Sequence, residues 1–136
     1  MPKEELLMRR IQSNADRFSE LNNNTNEGPF VMLNLLKFKQ DGGRELYAKY
    51  VIQSGRFVEA VGAKVVYLGK PRELLNGSES WDLLMLVKYP SRKAFTKMID
   101  DPEYLETHKL REAAVERAVL YATDEISIRD FVTQKG

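Results

Sequence analysis

Few residues in this chain are equipped for chemistry, and three of them fall together. Among 136 residues there is one histidine, His108, and no cysteine. Imidazole chemistry must therefore pass through His108, and thiol catalysis, disulfides and Cys-ligated zinc or iron–sulfur sites are excluded. Tyr104, His108 and Arg111 stand at i, i+4 and i+7, so a helix through them stacks all three on one face. If that face meets the core, it offers a phenol, an imidazole and a fixed positive charge to an anionic or enolisable ligand. The plainer alternative buries Tyr104 alone and leaves His108 and Arg111 solvated at a rim or paired with a carboxylate such as Glu112.

Asn34 is the one polar residue between Phe30 and Leu36, and alternation puts it on the face of Phe30, Met32, Leu36 and Phe38. A buried amide must find hydrogen-bond partners, either a ligand or neighbouring backbone. His108, Arg111 and Asn34 are thus the candidate catalytic residues. Tyr104, Tyr47, Tyr50 and Trp81 are the candidate ligand-binding residues. Tyr47, Tyr50 and Ser54 share a helical face that either lines the same pocket or packs as core with its hydroxyls at polar edges. Asp82 is read as a turn cap before an acid or base, and Arg56 and Arg92 as surface residues.

Other catalytic patterns are missing. Gly42-Gly43 lacks the spacing of a phosphate-cradling or dinucleotide-binding loop, and there is no Gly-x-Ser-x-Gly elbow. One histidine cannot build a His-rich metal site within one subunit, though carboxylates could join His108. Acid–base or ligand-driven chemistry without metal or cofactor is what remains. A net charge of +1 lacks the basic footprint of a nucleic-acid binder. The longest apolar run, Phe30 to Leu36, is far short of the ~20 residues that span a bilayer. Met1-Pro2-Lys3-Glu4-Glu5 does not open a secretory leader, so the expected location is the cytoplasm. With 43% apolar residues, the chain is expected to fold as one soluble globule.

The elements that position these residues follow from pattern and punctuation. Leu7, Ile11, Ala15, Phe18 and Leu21 form the stripe of an amphipathic N-terminal helix, tethered by the Asn-rich stretch 22–28. Residues 1–27 are read as this helix and linker, and 28–136 as the core domain. Phe30 to Lys39 is a strand apolar on both faces. After Asp41-Gly42-Gly43, the spacing of Tyr47, Tyr50, Val51, Ser54, Val58 and Val61 predicts a helix that Gly62 caps. Ala63 to Gly69 and Trp81 to Tyr89 are the next strands, joined by a connection containing Asn76-Gly77. Ser91 caps a short helix burying Ala94, Phe95, Met98 and Ile99. Asp101-Pro102-Glu103 starts another, expected to run to about Ala118. Val119 to Ile128 is expected as the last strand, with a frayed end from Thr133.

Strand, helix, strand, strand, helix pair, strand is the βαββαβ order of a ferredoxin-like α+β sheet with an extra N-terminal helix. Both helical layers then lie on one face, and strands apolar on both sides leave the other uncovered. An open Leu- and Val-rich sheet exceeds what a soluble monomer tolerates. The expectation is a homodimer packed sheet to sheet; the competing cover is the N-terminal helix folded across that face.

The run Gly28 to Phe38, the residues Tyr47 and Tyr50, the stretch Gly62 to Gly69, Trp81-Asp82, Tyr89-Pro90-Ser91-Arg92, and Asp101-Pro102-Glu103-Tyr104 followed by Arg111 resemble the domain-of-unknown-function family 1330. The resemblance covers roughly residues 28–123 and leaves the N-terminal helix outside. It implies the dimeric α+β barrel fold, shared by cofactor-independent monooxygenases, muconolactone-type isomerases, haem-degrading monooxygenases and stress-responsive proteins. In the haem-degrading relatives a helix histidine binds iron, with an Asn on the first strand and a Trp ten residues before the histidine. His108 and Asn34 match two of these, but Met98 stands where the Trp would be. The functional expectation is a small organic ligand bound between helices and sheet, with monooxygenase or isomerase chemistry as one possibility. The alternatives are a non-catalytic stress or interaction protein that uses the barrel as a dimer scaffold, and less so a haem protein.

Overall fold

The computed structural model describes residues 15–134. In chain order the elements are α1 (Ala15–Asn23), β1 (Phe30–Phe38), α2 (Gly43–Ala60), β2 (Lys64–Gly69), β3 (Leu83–Tyr89), α3 (Arg92–Ile99), α4 (Pro102–Ala114), β4 (Val115–Thr123) and α5 (Ile128–Thr133). The four strands form one antiparallel sheet in the order β2-β3-β1-β4. The helices α2 and α4 pack against each other on one face of it.

Local signals start and stop the helices as expected. The Ser91 hydroxyl accepts from the Ala94 N–H at 3.1 Å, and Asp101 Oδ1 accepts from the Glu103 N–H at 2.9 Å with Pro102 at the first helical position. Gly62 adopts φ +78°, and its N–H returns to the Glu59 carbonyl at 3.0 Å, closing α2. Gly43 is needed for a different reason. A Cβ there would sit 2.6 Å from the Ala114 carbonyl oxygen, so its absence lets the start of α2 approach the end of α4.

Two boundaries differ from expectation. α4 ends at Ala114 rather than near Ala118, and Val115 is already extended at φ −105°, ψ 127°. The cause is the sheet: β4 lies along β1 from Phe38↔Val115 to Val31↔Thr123, and that ladder outweighs the helix-compatible composition of residues 115–118. The chain beyond Thr123 leaves the sheet, and Ser127 caps the short α5 by accepting from the Asp130 N–H at 3.0 Å.

The buried core lies between the sheet and the helices. Phe30 and Leu36 are its largest fully enclosed side chains, joined by Met32, Val87, Tyr89, Phe95 and Tyr104. Phe30 stacks on Tyr89 with centroids 5.4 Å apart. On the opposite face, the register brings Leu33 beside Leu86 and Tyr121, and Leu35 beside Leu84 and Val119. Tyr121 is 64% exposed and Tyr67, paired with Leu86, is 55% exposed. The described part of the N-terminal helix does not cover this apolar face, because α1 packs on α3 at the helix side. Leu7 and Ile11 lie outside the described residues. Among the described residues, no helix is long and apolar enough to cross a membrane.

Candidate functional site

A cavity of about 400 Å³ opens between α2, α4 and the sheet. Three helical turns build one wall: Tyr47, Tyr50 and Ser54 descend α2 while Tyr104, His108 and Arg111 descend α4. The sheet supplies Met32 and Asn34 from β1, Met85, Val87 and Tyr89 from β3, and Leu120 from β4. Phe18 of α1 and Asp100 stand among the outer lining residues.

The α4 face is buried, not a solvated rim: His108 is 6% exposed and Arg111 7%. The Tyr50 and Tyr104 hydroxyls meet at 2.7 Å, and the Tyr104 hydroxyl lies 3.4 Å from His108 Nδ1. These three rings thus form a polar chain inside an apolar wall. Burial is the main influence on every phenol in it. It raises Tyr50 well above its ordinary range, with Tyr104 adding to the effect, and lifts Tyr104 to about 12; Tyr47 and Tyr89 rise as well. The Arg111 guanidinium opposes the rise at all four. His108 moves down to about 3, first because burial penalises the imidazolium and second because Arg111 repels it. At neutral pH the site therefore holds neutral phenols, a neutral imidazole and one cation.

Three polar atoms here are buried without a hydrogen bond of good geometry: Tyr47 Oη, His108 Nε2 and Arg111 Nη2. Arg111 is near enough to Tyr47 for both its charge and a loose side-chain hydrogen bond to act on the phenol, so each partly serves the other without an interaction of good geometry. Leaving such a group unpaired costs about 1–3 kcal/mol, more for a charged one. Arg92 offers an internal comparison. It is buried to the same degree and also leaves one nitrogen, Nη1, without a hydrogen bond, yet its charge is paired: Nη2 meets Asp124 Oδ1 at 3.1 Å and the guanidinium lies 4.9 Å over the Phe30 ring. Its expected surface position is thereby corrected. Among the described residues, no carboxylate comes within ion-pair distance of Arg111.

Asn34 lines the cavity, and its Nδ2 makes only long contacts, 3.4 Å to the Met32 carbonyl and 3.5 Å to that of Met85. Trp81 is not brought to the cavity. It stands at the far end of β3, where Arg117 lies 4.6 Å over its ring. Asp82 beside it accepts from the Phe38 N–H at 2.9 Å and donates its own N–H to Leu36, pinning β1 to β3. Tyr89, Met32 and Met85 join the site without any distinguishing mark in the sequence, although strand alternation with Asn34 and Val87 places them on the cavity face. Phe18 reads in the sequence only as part of a docking stripe.

A family model for a domain of unknown function, DUF1330, matches residues 37–124. The chain belongs to the DUF1330 family. A solved relative is the RPA0582 protein of unknown function from Rhodopseudomonas palustris. In its methylated form it is 38% identical, with a TM-score of 0.78 over 83% of this chain and 92% of that one. The fold recurs in more distant proteins. A dabb family protein with a ferredoxin-like fold from Mesorhizobium loti is 12% identical, with a TM-score of 0.52 over 74% of this chain and 100% of that one. A dimeric protein of unknown function and ferredoxin-like fold from Bacteroides fragilis is 11% identical, with a TM-score of 0.52 over 73% and 98%. None of the curated proteins matches the chain. The architecture of this DUF1330 protein is thus the ferredoxin-like α+β fold.

The haem reading meets a poor fit in these residues. His108 and Asn34 both line the cavity, but the position of the missing Trp is the buried Met98, a thioether that cannot take the place of an indole. Among the described residues, no group of three or more His, Cys, Asp or Glu side chains converges on a metal-sized site.

Proposed function

We propose that this DUF1330 protein binds a small organic molecule in the cavity between α2, α4 and the sheet. The observation that carries the reading is the pairing of a ligand-sized space, about 400 Å³, with buried polar atoms of Tyr47, His108 and Arg111 that have no hydrogen bond of good geometry within the described residues. A fold can fill such a space with Leu and Phe. Here it spends four tyrosines, a histidine and an arginine on it. Acid–base work of the isomerase or cofactor-free oxygenase kind is compatible with Tyr104, His108 and Asn34. An imidazole titrating near 3 is a weak base, however, so it acts first as a neutral hydrogen-bonding group.

The test is saturable binding of 1-naphthol, followed by its fluorescence, in the wild type and in Gly55→Trp. Gly55 lines the cavity, and a Cβ there meets nothing within 4 Å, so a side chain can start from this position without a backbone clash. Saturable binding that weakens at least tenfold in the variant supports the reading. No saturable binding, or equal binding by both proteins, overturns it.

The same proposal includes a homodimer formed through the open sheet face. Its support is the contiguous patch of Leu33, Leu35, Leu84, Leu86, Val119 and Tyr121 with no covering element among the described residues. A net charge of +1 adds little repulsion between two copies.

A further inference from the structure

Resting on the reading of the cavity as a small-molecule site, we infer that its ligand is a planar monoanion, a carboxylate, phenolate or enolate on an aromatic-sized body, seated with its negative charge against Arg111.

The argument starts from charge. The ionisable side chains that line the cavity are Glu59, Asp100, His108, Arg111 and four tyrosines. Glu59 and Asp100 are exposed residues of its outer part, so they stay in water. The imidazole and the phenols are neutral at pH 7. Among the described residues, the interior therefore carries one positive charge with no carboxylate beside it. The carboxyl-terminal carbonyls of α4, where Arg111 sits in the last turn, supply about half a negative charge. That softens the imbalance without closing it. Arg92 shows how this fold treats a buried guanidinium whose role is structural, because there it supplies a carboxylate. Taking a charge out of water without a partner costs several kcal/mol. An anion entering the cavity removes that penalty, and a neutral molecule of the same shape does not.

Shape narrows the class. The walls are aromatic rings and thioethers: Tyr47 and Tyr50 with centroids 5.3 Å apart, Tyr104 6.5 Å from Tyr50, and Met32 and Met85 on the sheet. Such walls favour a flat, polarisable body over a branched sugar or a phosphorylated chain. Tyr47 and His108 supply neutral hydrogen-bonding groups beside the guanidinium. A second oxygen on the ligand is thereby matched without requiring a second charge.

The test uses isosteric probes on the full-length protein. Calorimetry compares benzoate with benzamide, and absorbance titration follows the phenolate of 4-nitrophenol free and bound. Benzoate should bind at least about tenfold tighter than benzamide, and bound 4-nitrophenol should ionise at a pH about one unit lower than free, a preference expected of charge-assisted pairing. Arg111→Gln should erase both preferences and Arg111→Lys should keep part of each. Should Arg111→Gln not fold, the wild-type preferences decide the matter alone. Benzamide binding as tightly as benzoate, or an unshifted nitrophenol, overturns the charge assignment and leaves the small-molecule site standing. Sulfate binding as tightly as benzoate overturns the ring assignment. If none of these probes and no 1-naphthol binds, this inference and the proposed function both fall.

Discussion

Mild acid should destabilise this protein through His108, by an amount that follows from its burial. The folded imidazole titrates near 3, and in an unfolded chain it titrates near 6.5. The unfolded state therefore takes up the proton first. The stability that goes with the neutral imidazole is complete above pH 6.5 and declines as the pH falls from 6.5 towards 3. About pH 5 lies roughly 1.5 units below the imidazole's unfolded pKa, which amounts to a loss of about 2 kcal/mol at about 1.4 kcal/mol per unit. For a domain of this size that lowers Tm by roughly 6–10 °C. The groups against the ring offer no relief: Tyr50 and Tyr104 are neutral, and Arg111 opposes protonation. The assay is urea unfolding between about pH 7.5 and pH 5, wild type against His108→Gln. Carboxylates contribute to both proteins alike and cancel, and no second histidine titrates in this window. The wild type should lose about 2 kcal/mol more than the variant. The single imidazole resonance in the wild-type NMR spectrum gives an independent reading. Equal pH slopes, or an imidazole that titrates near 6.5 in the folded protein, refute the reasoning.

Sedimentation at micromolar concentration should give a mass near twice 15.7 kDa, and Leu33→Asp, placed where Leu33 meets Leu86 and Tyr121, should shift it to the monomer. A wild-type monomer sinks the sheet-to-sheet dimer. Asp82→Asn removes the charge that accepts the Phe38 N–H and faces Lys37 at 3.7 Å. It should cost roughly 1 kcal/mol in urea unfolding with ligand affinity unchanged, whereas altered affinity would return Asp82 to the site.

Where the backbone announces its own ends, the fold is legible in the sequence. Ser91, Asp101-Pro102 and Gly62 act within three or four residues of themselves, so their effects are local and can be read from neighbours alone. The junction of α4 and β4 has no such marker. Ala114-Val115 contains neither Gly nor Pro, and the helix stops there because residues 115–123 are needed as the partner of β1. The run after Thr123 reads as continuing strand for the converse reason. Its composition permits extension, but β1 offers no pairing partner beyond Val31, and Ser127 turns the chain into α5 instead.

The site divides along the same line. Helical spacing alone puts Tyr104, His108 and Arg111 on one face, and strand alternation alone puts Asn34 with Met32 and Leu36. Spacing cannot say whether a face meets the core or water, so a solvated rim stays open for Arg111 unless α4 is known to pack on α2. Nor can it find the Tyr50–Tyr104 hydroxyl contact, which joins residues 54 positions apart. Residue type misleads too: Trp81, the one tryptophan, packs under Arg117 away from the cavity. The feature that distinguishes Arg111 is the missing carboxylate, since Arg92 also keeps one buried nitrogen, Nη1, without a hydrogen bond. Arg92 and Arg111 have the same side chain and nearly the same burial, and both lie on helices packed at one side of the sheet. One has its carboxylate and the other has none among the described residues, and that difference is what the proposed anion site rests on.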